Sequence, residues 1–166
     1  MGPMVRFIQP YYWTGLMGSA RHNFLKNWRA ENPSGLIIAT LGMGLDGHTA
    51  GILPYPESAD EFHRLFESEA WVCAYNAGNK NPHKERITAT LTFLKMVDVA
   101  FAFVSGADKK QKLDEVISAS APPPLKLRRA SKATADLRKK QGKAHELPAL
   151  AWNEIKDVKI FTDIQE

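Results

Sequence analysis

The chain has little cysteine and no long apolar run, and each absence excludes a class of protein. Cys73 is the single cysteine among 166 residues, so an internal disulfide is excluded and a reducing compartment fits. Its apolar surroundings predict a buried strand thiol rather than a nucleophile. No apolar run approaches the roughly eighteen residues that a membrane-spanning helix needs, and the amino terminus shows no secretory leader. We therefore expect one soluble globular domain over residues 1–166, located in the cytoplasm.

The formal charge of +4 comes from one segment of the chain. Between Lys126 and Lys143 there are eight lysines or arginines and one acidic residue, whereas the remainder carries a formal charge of −3. The segment has no aromatic side chain to stack on bases, so nucleic acid is an unfavoured partner. We interpret it as a solvated surface helix within a basic insertion over residues 122–146, with a patch for an anionic partner as the alternative.

Apolar periodicity predicts helices and strands in alternation. The predicted helices lie at residues 17–28, 58–66, 92–97 and 109–118, and the predicted strands at 36–41, 71–75, 87–91 and 99–104. Ser58 and Glu61 are expected to form a capping box at the start of the second helix. Leu113, Val116 and Ile117 are expected to face inward on the last helix. Strands that alternate with helices imply an α/β fold, with a mostly parallel sheet and helices on both faces.

A glycine-rich turn follows the first predicted strand and carries an acid and an imidazole. Residues 36–54 read LIIATLGMGLDGHTAGILP, with Asp46 and His48 in the turn. Ligands of open α/β sheets bind outside the carboxyl ends of the strands, where this turn would lie. The pattern also satisfies G-x-G-x-x-G, but Pro54 comes only seven residues after Gly47, too soon for the helix that a dinucleotide fingerprint requires. A dinucleotide site is therefore the less favoured alternative.

Three motifs in order resemble one enzyme family. The turn GMGLDGHTAGILP is similar to the signature of the 6-phosphogluconolactonases, which share a fold with the glucosamine-6-phosphate deaminases. ERITAT at residues 85–90 resembles the lactonase R-I-T-x-T segment, and VSGADK at 104–109 resembles its G-x-x-K turn. LPA at 147–149 and a strand at 158–163 are similar to the closing segment. The resemblance implies a NagB/lactonase-like Rossmann-type sandwich that hydrolyses 6-phosphoglucono-1,5-lactone in the pentose phosphate pathway, without a metal or organic cofactor.

The resemblance does not extend to the amino-terminal part of the family. Family members begin with a strand, a glycine-serine turn that grips phosphate, and a second strand ending in Asp-Glu-Arg, and the sequence contains no counterpart of these. The chain would then be a fragment or a shortened form, and a non-catalytic remnant of the fold is the alternative to an active hydrolase. Loss of these strands would expose a sheet edge and an apolar face. We expect residues 5–13, rich in aromatic side chains, to pack over that face or to mediate self-association.

The turn supplies the residue types that lactone hydrolysis needs. A water must lose its proton near neutral pH, and imidazole is the side chain that titrates closest to that range, so His48 is the expected general base. Asp46 would orient the ring and stabilise the imidazolium, the structural alternative being a loop histidine simply bonded to Asp46. Gly44 and Gly47 would bring backbone N–H groups to the substrate. The other histidines show no paired metal-ligand spacing: His22, His63, His83 and His145.

Two cations and one leucine complete the expected site. Arg86 and Lys109 stand next to predicted strands, where a phosphorylated substrate needs positive charge; the alternative is two ordinary surface cations. In the deaminases the turn resembles G-H-I-A-F-N-E-P, with a glutamate before the proline that takes part in ring opening. Leu53 stands at that position and cannot relay protons. The turn therefore favours hydrolysis over the isomerisation and deamination of an amino-sugar phosphate.

Overall fold

A computed structural model describes residues 16–120 and 143–164 of the chain. The helices are α1 (Leu16–Glu31), α2 (Ala59–Phe66), α3 (Leu91–Leu94) and α4 (Lys110–Ser120), and the strands are β1 (Ile38–Gly42), β2 (Val72–Asn76), β3 (Glu85–Ala89), β4 (Val99–Val104) and β5 (Val158–Thr162). Short 3-10 helices span Ala107–Lys109 and Pro148–Glu154. The aromatic-rich residues 5–13 and most of the predicted basic insertion, its residues 122–142, lie outside the described residues.

The predicted α/β fold with a parallel sheet is confirmed. β1, β4 and β5 form a parallel sheet in the order β1-β4-β5, and Gly42, Phe103 and Phe161 are aligned across it. β2 and β3 instead form an antiparallel hairpin. A hairpin needs only a short connection, whereas parallel neighbours need a crossover. The polar loop between β2 and β3 is closed by the bond from Ala77 N to Lys84 O, 2.7 Å long.

The capping signal before α2 is confirmed in part. The Ser58 hydroxyl accepts a hydrogen bond from Glu61 N at 3.2 Å, and the helix ends at Phe66 as predicted. The reciprocal half of the box is absent, because Ser58 N donates to Tyr55 O instead. The Glu61 carboxylate pairs with Arg64 on the next turn of the helix. A serine N-cap satisfies one of the free amides of the first turn, which is enough to set the start of the helix.

One face of the sheet lies in the core. Ala100, Ala102 and Val104 of β4 are buried, as is Leu41 of β1. Leu113 and Val116 of α4 are also buried members of this core. Ile117, predicted to face inward with them, is exposed. That part of the prediction is wrong because Ile117 lies about 100° further around α4 than Val116, outside the buried stripe.

The opposite face of the sheet is apolar and exposed. Ile38, Phe103 and Phe161 are 61%, 56% and 50% exposed. The rings of Phe103 and Phe161 stack with their centroids 5.3 Å apart. Contacts between aromatic neighbours on adjacent strands hide part of each ring but leave the outer surfaces accessible to solvent.

Candidate active site at the carboxyl edge of the sheet

The loop after β1 folds back on itself before the chain leaves the sheet. The Thr49 hydroxyl donates to Gly42 O at 2.8 Å, which closes the loop at its base. Gly44 N donates to His48 O at 3.0 Å, and Gly47 N donates to Gly44 O at 3.0 Å. These bonds satisfy the backbone of a turn that has no repeating secondary structure. Asp46 and His48 are thereby held at the carboxyl end of β1.

Asp46 and His48 form a close pair within this loop. The distance from His48 Nδ1 to Asp46 Oδ1 is 2.6 Å, and the same carboxylate oxygen accepts the backbone N–H of His48 at 3.1 Å. With Nδ1–H bound to the carboxylate, the neutral ring carries its free lone pair on Nε2. The His48 side chain is 37% exposed and the Asp46 side chain 46%, so water and a substrate can reach them. This geometry suits proton transfer at Nε2.

Gly44 and Gly47 are required by the shape of the loop. A Cβ on Gly44 would overlap the His48 ring at Cε1 and Nδ1. Gly47 has a φ of 82°, and a Cβ there would collide with the Leu147 side chain. Because both amides donate within the loop, the role that the structure shows for these glycines is steric. Binding of the substrate by their N–H groups stays a prediction.

The hairpin β2–β3 holds the far end of the loop. Ala50 has a φ of 52°, which a residue with a side chain seldom adopts. The Thr88 hydroxyl donates to Ala50 O, and the Tyr75 hydroxyl donates to Gly51 O at 2.7 Å. Strained backbone persists only where the surroundings hold it in place. The Thr88 and Tyr75 side chains, from neighbouring strands, do so here, and no local pattern in the sequence predicts either contact.

Arg86 lies beside that same end of the loop. Its Nη2 atom is 3.6 Å from the position that a Cβ on Gly51 would take. Its Nε atom is buried and has no hydrogen-bond partner among the described residues. Arg86 is the cross-strand partner of Tyr75 in the hairpin. Burial raises the pKa of Tyr75, and the nearby Arg86 charge opposes that rise. Arg86 therefore retains hydrogen-bonding capacity next to the loop that carries His48.

Lys109 lies at the end of the neighbouring strand. It closes the short 3-10 turn that follows β4, and β4 pairs directly with β1. The turn is tied to β5 by Asp163, which accepts from the Ser105 hydroxyl at 2.7 Å and from Gly106 N at 3.0 Å. These two bonds, and to a smaller extent the Lys109 charge, lower the pKa of Asp163. Lys109 and the His48 loop therefore share one edge of the sheet.

Neither Cys73 nor the described histidines other than His48 form a second reactive or metal-binding site. Cys73 is half-buried on β2, and burial raises the pKa of its thiol to about 12, so it stays protonated at neutral pH. His22 accepts the Trp71 backbone N–H, and His63 pairs with Glu67 on α2. Among the described residues, no three His, Cys, Asp or Glu side chains are placed to hold a metal ion.

None of the described helices is long and apolar enough to cross a membrane.

The family is identified by a match that covers most of the chain. Residues 19–138 match the family described as glucosamine-6-phosphate isomerases/6-phosphogluconolactonase. The chain belongs to this family. A curated relative, the 6-phosphogluconolactonase of Nostoc sp., is 34% identical over 98 residues, which are 59% of this chain and 36% of that protein.

Solved structures of the glucosamine-6-phosphate isomerase/6-phosphogluconolactonase family share the fold. A 6-phosphogluconolactonase from Shewanella baltica superposes with a TM-score of 0.51 at 19% identity, over 87% of this chain and 52% of that one. One from Plasmodium vivax gives a TM-score of 0.55 at 16% identity, over 90% and 52%. The chain thus spans about half the length of these structures, and about a third of the Nostoc relative.

Proposed function

We propose that the chain hydrolyses 6-phosphoglucono-1,5-lactone to 6-phosphogluconate, as a carboxylic ester hydrolase of the pentose phosphate pathway in the cytoplasm. The observation that carries the proposal is the Asp46–His48 pair at the carboxyl edge of the sheet, with Nδ1 and Oδ1 2.6 Å apart and both side chains partly exposed. Membership of the family supports the reaction class. The residues assigned here use no metal or organic cofactor.

In the proposed mechanism His48 activates water. Nε2 takes a proton from a water whose oxygen attacks the lactone carbonyl carbon, which gives a tetrahedral oxyanion. Asp46 keeps its bond to Nδ1–H and stabilises the imidazolium formed at this step. The oxyanion then collapses and the bond from the carbonyl carbon to the ring oxygen breaks. The imidazolium returns its proton to that ring oxygen, which leaves the open-chain acid.

Arg86 and Lys109 are proposed to bind the phosphorylated substrate from two sides of the loop. Arg86 stands beside Gly51 with a buried N–H that no described residue accepts. Lys109 follows the strand next to β1. Cations at these positions favour an anionic substrate through charge-assisted hydrogen bonds. Gly44 and Gly47 would complete the pocket through their backbone.

One observation favours hydrolysis over the reaction of an amino-sugar phosphate isomerase. Leu53 is buried in the core. It stands at the position where the similar turn of the deaminases has a proton-relaying glutamate. A buried aliphatic side chain supplies no proton transfer, whereas hydrolysis needs only a base and water. The remaining alternative is a non-catalytic form of the fold, because the chain spans only about half of its structural relatives.

The test is a hydrolysis assay against the spontaneous rate of lactone opening. We expect acceleration by the unchanged protein, and a fall of about a hundred- to ten-thousandfold in turnover for His48→Ala. Asp46→Asn should reduce the rate less, since Asp46 orients the ring and stabilises the imidazolium but does not itself take the proton from water. His63→Ala is the matched control, because His63 pairs with Glu67 at 2.7 Å but lies on α2. No acceleration by folded protein would support the non-catalytic alternative, and full activity of His48→Ala would remove His48 from the mechanism.

A further inference from the structure

A buried side-chain bond links the loop to a distant part of the chain. The indole Nε1–H of Trp152 donates to the Thr49 hydroxyl at 3.0 Å, and that hydroxyl donates to Gly42 O. Thr49 is 0% exposed and Trp152 is 1% exposed. Thr49 directly follows His48, and Gly42 ends β1. The bonds therefore tie both ends of the loop to each other and to the 3-10 helix Pro148–Glu154.

The same 3-10 helix holds the residue before His48. Ala149 N donates to Gly47 O at 3.1 Å. The Leu147 side chain fills the space that a Cβ on Gly47 would need. Residues on both sides of His48 are thus bound by residues 147–152, about a hundred positions later in the sequence.

The imidazole itself depends on this support for its direction. Among the described residues its ring is hydrogen-bonded through Nδ1 to Asp46, a member of the same loop. The ring therefore follows the backbone of residues 47–49, which the 3-10 helix holds. A displacement of about 1 Å at a reacting group can cost about a hundredfold in rate.

We propose that Trp152 is a positioning residue for His48 and acts through the Thr49 hydroxyl. The expected change in rate rests on the proposed lactone hydrolysis. The expected change in the position of the His48 ring does not. Trp152→Phe removes the indole N–H and keeps an aromatic ring in the core. Thr49→Val removes the hydroxyl and keeps the branched shape. Either change should release the carboxyl side of His48 from the 3-10 helix, because each removes the bond from Trp152 to Thr49.

Kinetic measurements on these variants distinguish positioning from general stability. We expect kcat for lactone hydrolysis to fall about ten- to hundredfold in Trp152→Phe and in Thr49→Val, with KM within about threefold of the unchanged protein. The double variant should be no slower than the slower single variant, because both changes break the same bond, the one from Trp152 to Thr49. Thr49→Ser, which restores a hydroxyl, should recover kcat to within about threefold. Trp71→Phe is the control for loss of an indole, since the Trp71 ring packs against Phe93 and His22.

A second readout does not require activity. Nitrogen-15 spectra of the His48 ring, assigned by their loss in His48→Ala, report the tautomer and the bond from Nδ1–H to Asp46. Trp152→Phe should shift or broaden these signals, and Trp71→Phe should leave them unchanged. Unaltered His48 signals in folded Trp152→Phe would overturn the proposal even if the chain hydrolyses no lactone. Retained kcat in that variant, or additive losses in the double variant, would also overturn it.

Discussion

The two faces of the sheet β1-β4-β5 are both apolar, but among the described residues only one face is buried in the core. On one face Ala100, Ala102 and Val104 are buried in the core. On the other face Ile38, Phe103 and Phe161 are half or more exposed. Apolar residues on both faces are typical of a parallel sheet covered on both sides. The loop with His48 is anchored on the covered side, so the candidate site depends on the buried face.

The largest effect is expected from a matched pair of substitutions on β1. Leu41 and Ile38 have isomeric side chains on opposite faces of this strand, and Leu41 is buried whereas Ile38 is exposed. Leu41→Ala should lower the free energy of unfolding by about 2–5 kcal/mol, because it leaves a cavity. Ile38→Ala should change it by less than about 1 kcal/mol. Urea denaturation of both variants measures the difference, and equal losses would show that the second face is also packed.

A smaller effect is expected on ligand affinity, which cations at the carboxyl edge of the sheet should support and a cation elsewhere on the sheet should not. Arg86→Ala and Lys109→Ala should each weaken binding of 6-phosphogluconate about ten- to hundredfold, since each removes a charge-assisted hydrogen bond worth about 1.5–3 kcal/mol. Lys159→Ala is the control, because Lys159 lies near the start of β5 and pairs with Asp157 at 2.9 Å. Calorimetric titration gives the affinities. Equal affinity of the unchanged protein for gluconate and 6-phosphogluconate would contradict the assignment of phosphate to these cations.

The smallest effect concerns association through the exposed face. Phe103→Ser combined with Phe161→Ser should lower concentration-dependent light scattering, since it removes most of the stacked aromatic surface. Removal of residues 1–13 should change the scattering as well. A rise would show that these residues cover the face, and a fall would show that they mediate contacts between copies. Scattering unaffected by either change would contradict both roles.

Local signals in the sequence predicted much of the fold. The β-branched and aromatic run of β4 was assigned with the bounds that the structure has, and Ser58 marked the start of α2. These features depend on neighbouring residues, because strand preference and helix capping act over a few positions. The position of Ile117 was predicted incorrectly, since the width of a buried stripe depends on what packs against the helix.

The sequence by itself determined the loop with Asp46 and His48, and only the tertiary structure decided how that loop is held. Asp46 stands two residues before His48, among glycines that leave room for the ring. This spacing brings the two side chains within hydrogen-bonding distance without help from distant residues. The bond from Trp152 to Thr49 joins residues 103 positions apart. No local pattern encodes such a contact, because it arises when the closing segment packs into the core. The exposure of Phe161 could not be predicted from the sequence of its strand for the same reason, because burial depends on which other elements cover that face of the sheet.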